Sequence, residues 1–255
     1  MKAARTFIHV LVAIVVLVAA WQSVVVFGGY EPSLLPSPRS VGKAIMKLLA
    51  DGTLLVHLKV SLFRFVTGYV SASISAIVIG LILGRLLWLW GFVDPVVQLI
   101  RPVSPIAWSP FIVLWFGIGD APAIVIIFLA AFFPVLLSTV SALRKVDPIY
   151  LKVAQNFEIS RYHLLTKIIF PAVFPFIANG LHIAVGTSWI FLVSGEMVGT
   201  QSGLGYMIVD ARNQLRLDLV LAGIIFIGLC GLLLDRSIRL LERWINRQWG
   251  ITRDV

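Results

Sequence analysis

Few polar side chains interrupt the apolar stretches of this chain, and those few define what chemistry is open to it. Arg101 lies beside a run of prolines, Pro102, Pro105 and Pro110, with Ser104, Trp108 and Ser109 close by in sequence. A charge surrounded by apolar residues is costly, so it pairs, reaches for water or lines a solvated path. Arg101 therefore reads as an anion contact or gate in a path across a membrane. The alternative is a structural arginine that satisfies carbonyls freed by the prolines, or one that snorkels to water. Ser104 and Trp108 share whichever role Arg101 has. Ser188 and His182 lie in the middle of another apolar run; Ser188 reads as a further candidate lining residue of the substrate path, and a lone histidine there is expected to pack in the bundle. Glu196 ends that run and has three readings: a helix cap, a partner for Arg212, or a lining residue of an outer mouth.

Catalytic constellations are missing. The chain has no H-E-x-x-H and no G-x-S-x-G, and its histidines, His9, His57, His163 and His182, are scattered. A phosphate-binding G-x-x-x-x-G-K-[ST] is also missing, because Gly42-Lys43 is followed by Ala44 and lacks the upstream glycine. Any ATP chemistry must then belong to another chain. The single cysteine, Cys230, excludes an internal disulfide and a cysteine-rich metal site.

These residues need elements to hold them, and composition says which. Of 255 residues, 59% are apolar and 13% charged, and the mean hydropathy is +0.98. Soluble domains hold about 25% charged residues, so the values exclude a disordered chain and argue against a soluble enzyme. The expectation is an all-α polytopic membrane protein of about six spans, each needing about 20 apolar residues.

The spans read as Thr6–Phe27, Leu58–Gly84, Phe92–Phe116, Ala121–Leu143, Phe170–Val193 and Leu217–Leu234. A signal peptide competes for the first, since Val18-Ala19-Ala20 looks like a cleavage site, but the run outlasts an h-region of about 7–15 residues. Arg39–Ala50 reads as an amphipathic helix on the outer surface, with Val41, Ile45, Leu48 and Leu49 apolar and Lys43 and Lys47 on another face. Lys59 and Arg64 in the second span either snorkel or face protein. The third span, broken by Pro95, Pro102, Pro105 and Pro110, is tolerable only against protein or a watery path. Gly195–Arg216 reads as a glycine-rich polar excursion and 235–255 as a basic tail. The division expected is residues 1–57, with the first span and the amphipathic helix, and 58–255, the core with an interhelical loop at 144–171.

With both ends inside, 13 of 21 Lys and Arg residues fall in inner segments and five in outer ones. That favours cytoplasmic termini and accounts for the net charge of +9 without nucleic acid. In the inner loop, Ile149, Val153 and Phe157 share one helical face, and Ser160 reads as the N-cap of a second short helix carrying Leu164, Leu165, Ile168 and Ile169. Those apolar faces pack either on the chain's own spans or on a cytoplasmic partner.

Lys152-Val153-Ala154, then Glu158, then Ile168-Ile169-Phe170-Pro171 resembles the "EAA…G…I.LP" coupling loop of permease subunits in binding-protein-dependent ABC importers. The loop departs from the pattern: Lys152 stands for the leading Glu, Val153 for the first Ala, Glu158 for the Gly and Phe170 for the Leu. A left-handed turn at Glu158 would cost about 1 kcal/mol relative to glycine. Beyond the loop, Leu35-Pro36-Ser37-Pro38, Arg101 to Trp108, Leu114 to Gly119, Ser202-Gly203-Leu204-Gly205-Tyr206 and Leu233-Leu234-Asp235-Arg236 resemble the nitrate/sulfonate/taurine/bicarbonate permease group, over about residues 7 to 250.

The resemblance implies a type I-like permease in the bacterial inner membrane, working as a homodimer with two cytoplasmic ATPase subunits and a periplasmic or lipid-anchored binding protein. ATP and Mg would sit in the ATPase, with no cofactor on this chain and no catalytic residue in it. The implied ATPase contact comprises Lys152, Val153, Ala154, Phe157, Glu158, Ser160, Arg161, Ile168 and Pro171. The implied cargo is a small anion: a sulfonate such as taurine, nitrate or bicarbonate. Similar permeases carry thiamine precursors, riboflavin or other small heterocycles. A stand-alone carrier or channel is the reading from a different class, and ATPase binding discriminates against it.

Overall fold

The computed structural model describes residues 2–29, 31, 34–146, 156–157, 159–160, 163–164 and 169–248, and these are helical throughout their regular structure. Five helices are long and apolar enough to span a membrane, and a bent pair makes a sixth crossing. α1 (Lys2–Phe27) meets α2, Trp21 packs against the core, and most of its described side chains are exposed. Ser37 caps α2 (Pro38–Ala50) by accepting the Ser40 N–H at 3.2 Å, and Pro38 opens the helix where a missing N–H costs nothing. Val41, Ala44 and Leu48 form its buried face, and Leu49 points outward instead. The turn to α3 is set by Asp51, whose carboxylate accepts the Thr53 N–H at 3.1 Å. That bond holds its carboxyl below the usual carboxylate range.

α3 (Thr53–Arg85) is 33 residues long, well beyond the expected span. α4 (Leu87–Ile100) follows, then a 3-10 turn at Pro105–Trp108 and α5 (Ser109–Phe116). The two halves of this broken crossing meet at 84°. Pro102 and Pro105 supply no N–H at the corner, so the ladder stops there. α6 (Asp120–Arg144) and α7 (Phe170–Gly199) form the core with α3. α8 (Leu204–Asn213) and α9 (Leu217–Gln248) complete the described chain.

Two expectations need correction. Gly195 and Gly199 belong to α7, and residues 204–213 are helix α8, so most of the expected excursion is regular. The glycines are there for packing: a Cβ at Gly199 would lie 3.0 Å from Pro122 of α6. The basic tail is also helical to Gln248, because no glycine or proline follows Gly231 before that point and an Asp235–Arg239 ion pair bridges one turn.

Helix direction follows from close approaches. Gly68 meets Ile127, Gly80 meets Thr139 and Gly84 meets Leu143, so α3 and α6 run parallel. Gly180 meets Ser138 and Gly195 meets Ile126, so α7 is antiparallel to both. Gly68, Ala72, Ala76, Gly80 and Gly84 recur every fourth residue, the small-residue seam that lets helix backbones approach in lipid. A Cβ at Gly68 would stand 2.8 Å from the Ile124 carbonyl oxygen, which cannot move aside. Gly68→Val is expected to destabilise the bundle by about 1–3 kcal/mol, read as a lower melting temperature in detergent.

These directions gather Arg85, Arg144, Lys145, Arg236, Arg239 and Arg243 at one end of the bundle, here the basic end. Arg144 lies 5.8 Å over the Trp90 ring and Lys145 5.3 Å over Phe176, both interfacial arrangements. The opposite end carries the start of α6, the end of α7 and α8.

Candidate functional site

The broken crossing opens a cleft of about 630 Å³ against α6 and α7. That is within the range of small-ligand sites. Arg101, Ser104 and Trp108 all line it, so the corner brings these three candidates together. Phe111 and Trp115 of α5, Phe133 of α6 and Phe191 of α7 add aromatic rings to an otherwise aliphatic and proline-lined wall. Thr187 adds a hydroxyl, which donates to the Ile183 and Ala184 carbonyls of its own helix and, at 3.4 Å, to the Ala130 carbonyl of α6.

Arg101 follows the 14 residues of α4, so about 21 Å of helix separates it from the basic end. Among the described residues, no carboxylate or hydrogen-bond acceptor engages its guanidinium. It is therefore not occupied in satisfying the carbonyls freed by the prolines. Arg101 is an exposed side chain at the edge of the cleft.

Ser188 and Glu196 stand elsewhere. Ser188 is wholly buried in the core, and its hydroxyl has no hydrogen-bond partner among the described residues. Glu196 is wholly buried at the end opposite the arginines, in an ionic cluster. Its partner is Arg64 at 2.9 Å and not Arg212. Arg64 does not snorkel; only 1% of its side chain is exposed. Its Nε donates to Asp120 at 2.7 Å, Nη1 donates to Glu196 and to the Ser202 carbonyl, and Nη2 donates to the Ser202 hydroxyl. The guanidinium fork thus joins α3, α6, α7 and the 200–203 turn, a geometry lysine cannot reproduce.

The carboxylate of Glu196 is satisfied as fully. Ser61 donates to it at 2.8 Å and the Gly205 N–H at 2.9 Å. Ser61 in turn accepts the Leu204 N–H, and His57 Nδ1 accepts the Gly203 N–H at 3.0 Å. Gly203 has φ +102°, and any Cβ there would strike the Glu196 carboxylate. The Ser-Gly-Leu-Gly motif is thus a backbone cradle for a buried carboxylate. Sequence reading missed Arg64 as a site residue, yet a signal existed: it stands four residues before Gly68, on the protein-facing seam.

His182 is packed between α7 and α9, with Nε2 3.1 Å from Asp235 and Nδ1 3.7 Å from Glu242. Of the expected ATPase contact, Lys152, Val153, Ala154, Glu158, Arg161 and Ile168 lie outside the described residues. Phe157 is 76% exposed. Ser160 behaves as an N-cap, its carbonyl accepting the Leu164 N–H at 2.9 Å. Leu164 packs against the cluster of Ala142, Ile169, Val173 and Ile177 on the chain's own spans, while Leu165 and Ile168 lie outside the described residues. Pro171 stands in the first turn of α7, where proline fits.

Comparison with known proteins gives a consistent answer. Residues 76–247 match the family described as the binding-protein-dependent transport system inner membrane component. The chain is 34% identical over 240 residues to the taurine transport system permease protein TauC of Escherichia coli, covering 92% of this chain and 87% of that protein. It is 32% identical over 240 residues to the nitrate import permease protein NrtB of Synechocystis sp., covering 91% and 86%. Among solved structures, a chain of the MetNI methionine ABC transporter in inward facing conformations has the same fold. It aligns with a TM-score of 0.52 at 18% identity, covering 77% of this chain and 97% of that one.

Proposed function

Since the chain belongs to the binding-protein-dependent transport system inner membrane components, as an ABC importer permease of the nitrate, sulfonate, taurine and bicarbonate group, we propose that its cleft is this subunit's share of an anion path. The cargo is a small anion: a sulfonate such as taurine, nitrate or bicarbonate. A periplasmic binding protein delivers it to the end that carries α8, and the basic end faces the cytoplasm, as the positive-inside rule favours. Two copies of the permease enclose the path. Separate ATPase subunits, holding ATP and Mg, dock on the 144–171 segment and drive the switch between inward-open and outward-open states. The aligned relatives named for taurine and for nitrate support the anion class.

One observation carries the assignment of the path: Arg101, with no ion pair among the described residues, lines one apolar cleft together with Ser104 and Trp108 at the corner of the broken crossing. An arginine at the cleft offers a passing anion charge-assisted hydrogen bonds. The site is transient by design, since one charged contact is enough to admit an anion and too little to trap it. Arg101→Gln removes the charge and keeps a shorter polar side chain. It is expected to lower uptake of the anion about tenfold or more in proteoliposomes bearing the whole importer, with permease abundance unchanged. Unchanged uptake would remove Arg101 from the path.

The aromatic rings in the wall favour a second reading, a flat heterocycle such as a thiamine precursor or riboflavin stacked on Trp108 or Phe111. The same variant separates the two, because an uncharged ring would cross the Arg101→Gln permease as fast as the parent.

A further inference from the structure

The ionic cluster and the cleft are separate in space but share the same two helices. On α6, Asp120 is the clamped residue, and Val125 and Leu129 are the next two that line the cleft. On α7, Glu196 is clamped, and Phe191 and Thr187 line the cleft. The offsets are five and nine residues on both helices. The clamp therefore sits about 7.5 Å of helix rise beyond the last lining residue on each. Nearby, the Gly119 N–H donates to the Gly199 carbonyl at 3.0 Å, tying the α5–α6 corner to the same place. Val113 of α5 also approaches Gly199, so the third wall of the cleft is held there too.

We propose that Arg64 is a positioning residue that fixes the width of the cleft: by clamping Asp120 to Glu196 it sets the separation of the two helices that form the cleft wall. This rests on the reading of the cleft as the path. Arg64 touches no cargo. Its fork holds α6 and α7 at one spacing, and hydrogen bonds to Ser202 make the 200–203 turn part of the same rigid unit. Arg64→Lys keeps the charge and loses the fork. Asp120→Ala removes the half-exposed partner, whose side chain is 55% accessible, and leaves the buried Arg64–Glu196 pair intact.

The test uses the full importer with Val125→Cys and Phe191→Cys spin labels in a Cys230→Ser background. In the parent a narrow label-to-label distance is expected. In Arg64→Lys and in Asp120→Ala the distance should lengthen by about 2 Å or its distribution broaden, the scale of helix shifts at packed interfaces. Anion uptake should fall about tenfold, because loosely held sites lose function at displacements well under that. If Arg64→Lys fails to accumulate, Asp120→Ala carries the measurement. A purely structural role predicts less folded permease with the parental distance kept in what survives, and that result overturns the proposal. So does full uptake despite an altered distance. The label distance needs no cargo, so a wrong cargo assignment leaves it intact and shows only in the uptake arm.

Discussion

Glu196→Ala is expected to be the most damaging single substitution for stability in this chain, at about 3–5 kcal/mol. The reason is what it leaves behind. Arg64 is buried to 1% and cannot shed its proton, and Asp120 at the rim compensates it only from a half-exposed position. Removing Glu196 also strips partners from the Ser61 hydroxyl and the Gly205 N–H, both buried. Each orphaned buried group adds its own desolvation cost. Thermal unfolding of purified permease in detergent, compared with Glu196→Gln, measures the effect. The glutamine variant keeps one acceptor oxygen but loses the charge and turns an NH2 toward the Arg64 or Gly205 donor, so it should fall between parent and alanine. Equal melting of all three would mean that the cluster contributes nothing net.

Ala154→Glu is expected to have the largest effect on transport. It places a charge in the segment that the proposed function assigns to ATPase docking. A small apolar residue at the centre of such a contact leaves no room for a carboxylate and no partner for it. Interface substitutions of this kind cost about 2–4 kcal/mol, or about 30-fold to 1,000-fold in affinity. The permease should still reach the membrane in normal amount, while co-purified ATPase and ATP-driven uptake both fall by that order. Normal uptake in this variant would argue against a coupling role for the 144–171 segment.

Both substitutions change one side chain, but the two sites were legible to different degrees. The segment proposed to dock the ATPase rests on a local pattern, Ala154, Ile168 and Pro171 with departures at Lys152 and Glu158, and most of it lies outside the described residues. The Glu196 cluster is not local. Its arginine lies 132 residues away, and the nearest cation in sequence, Arg212, proved irrelevant. Ser104 and Trp108 could be grouped with Arg101 because proline fixed them on one corner. Ser188 could not be placed, because an apolar run conceals which of its faces is buried.

Sequence alone determined the membrane class, the apolar spans, the break in the third one and the excess of cations on one side. These are one-dimensional quantities: the transfer cost of each residue into lipid depends on its type and its immediate neighbours, and proline breaks a ladder wherever it stands. The tertiary structure decided which face of each helix meets protein. It turned Arg64 inward along the Gly68–Gly84 seam, carried the last helix to Gln248, and set Asp120 and Glu196 the same five residues from the cleft. In lipid an apolar face gains nothing from meeting one apolar neighbour over another. Helix pairing there depends on shape and on a few buried polar contacts, and those are fixed only when distant segments meet.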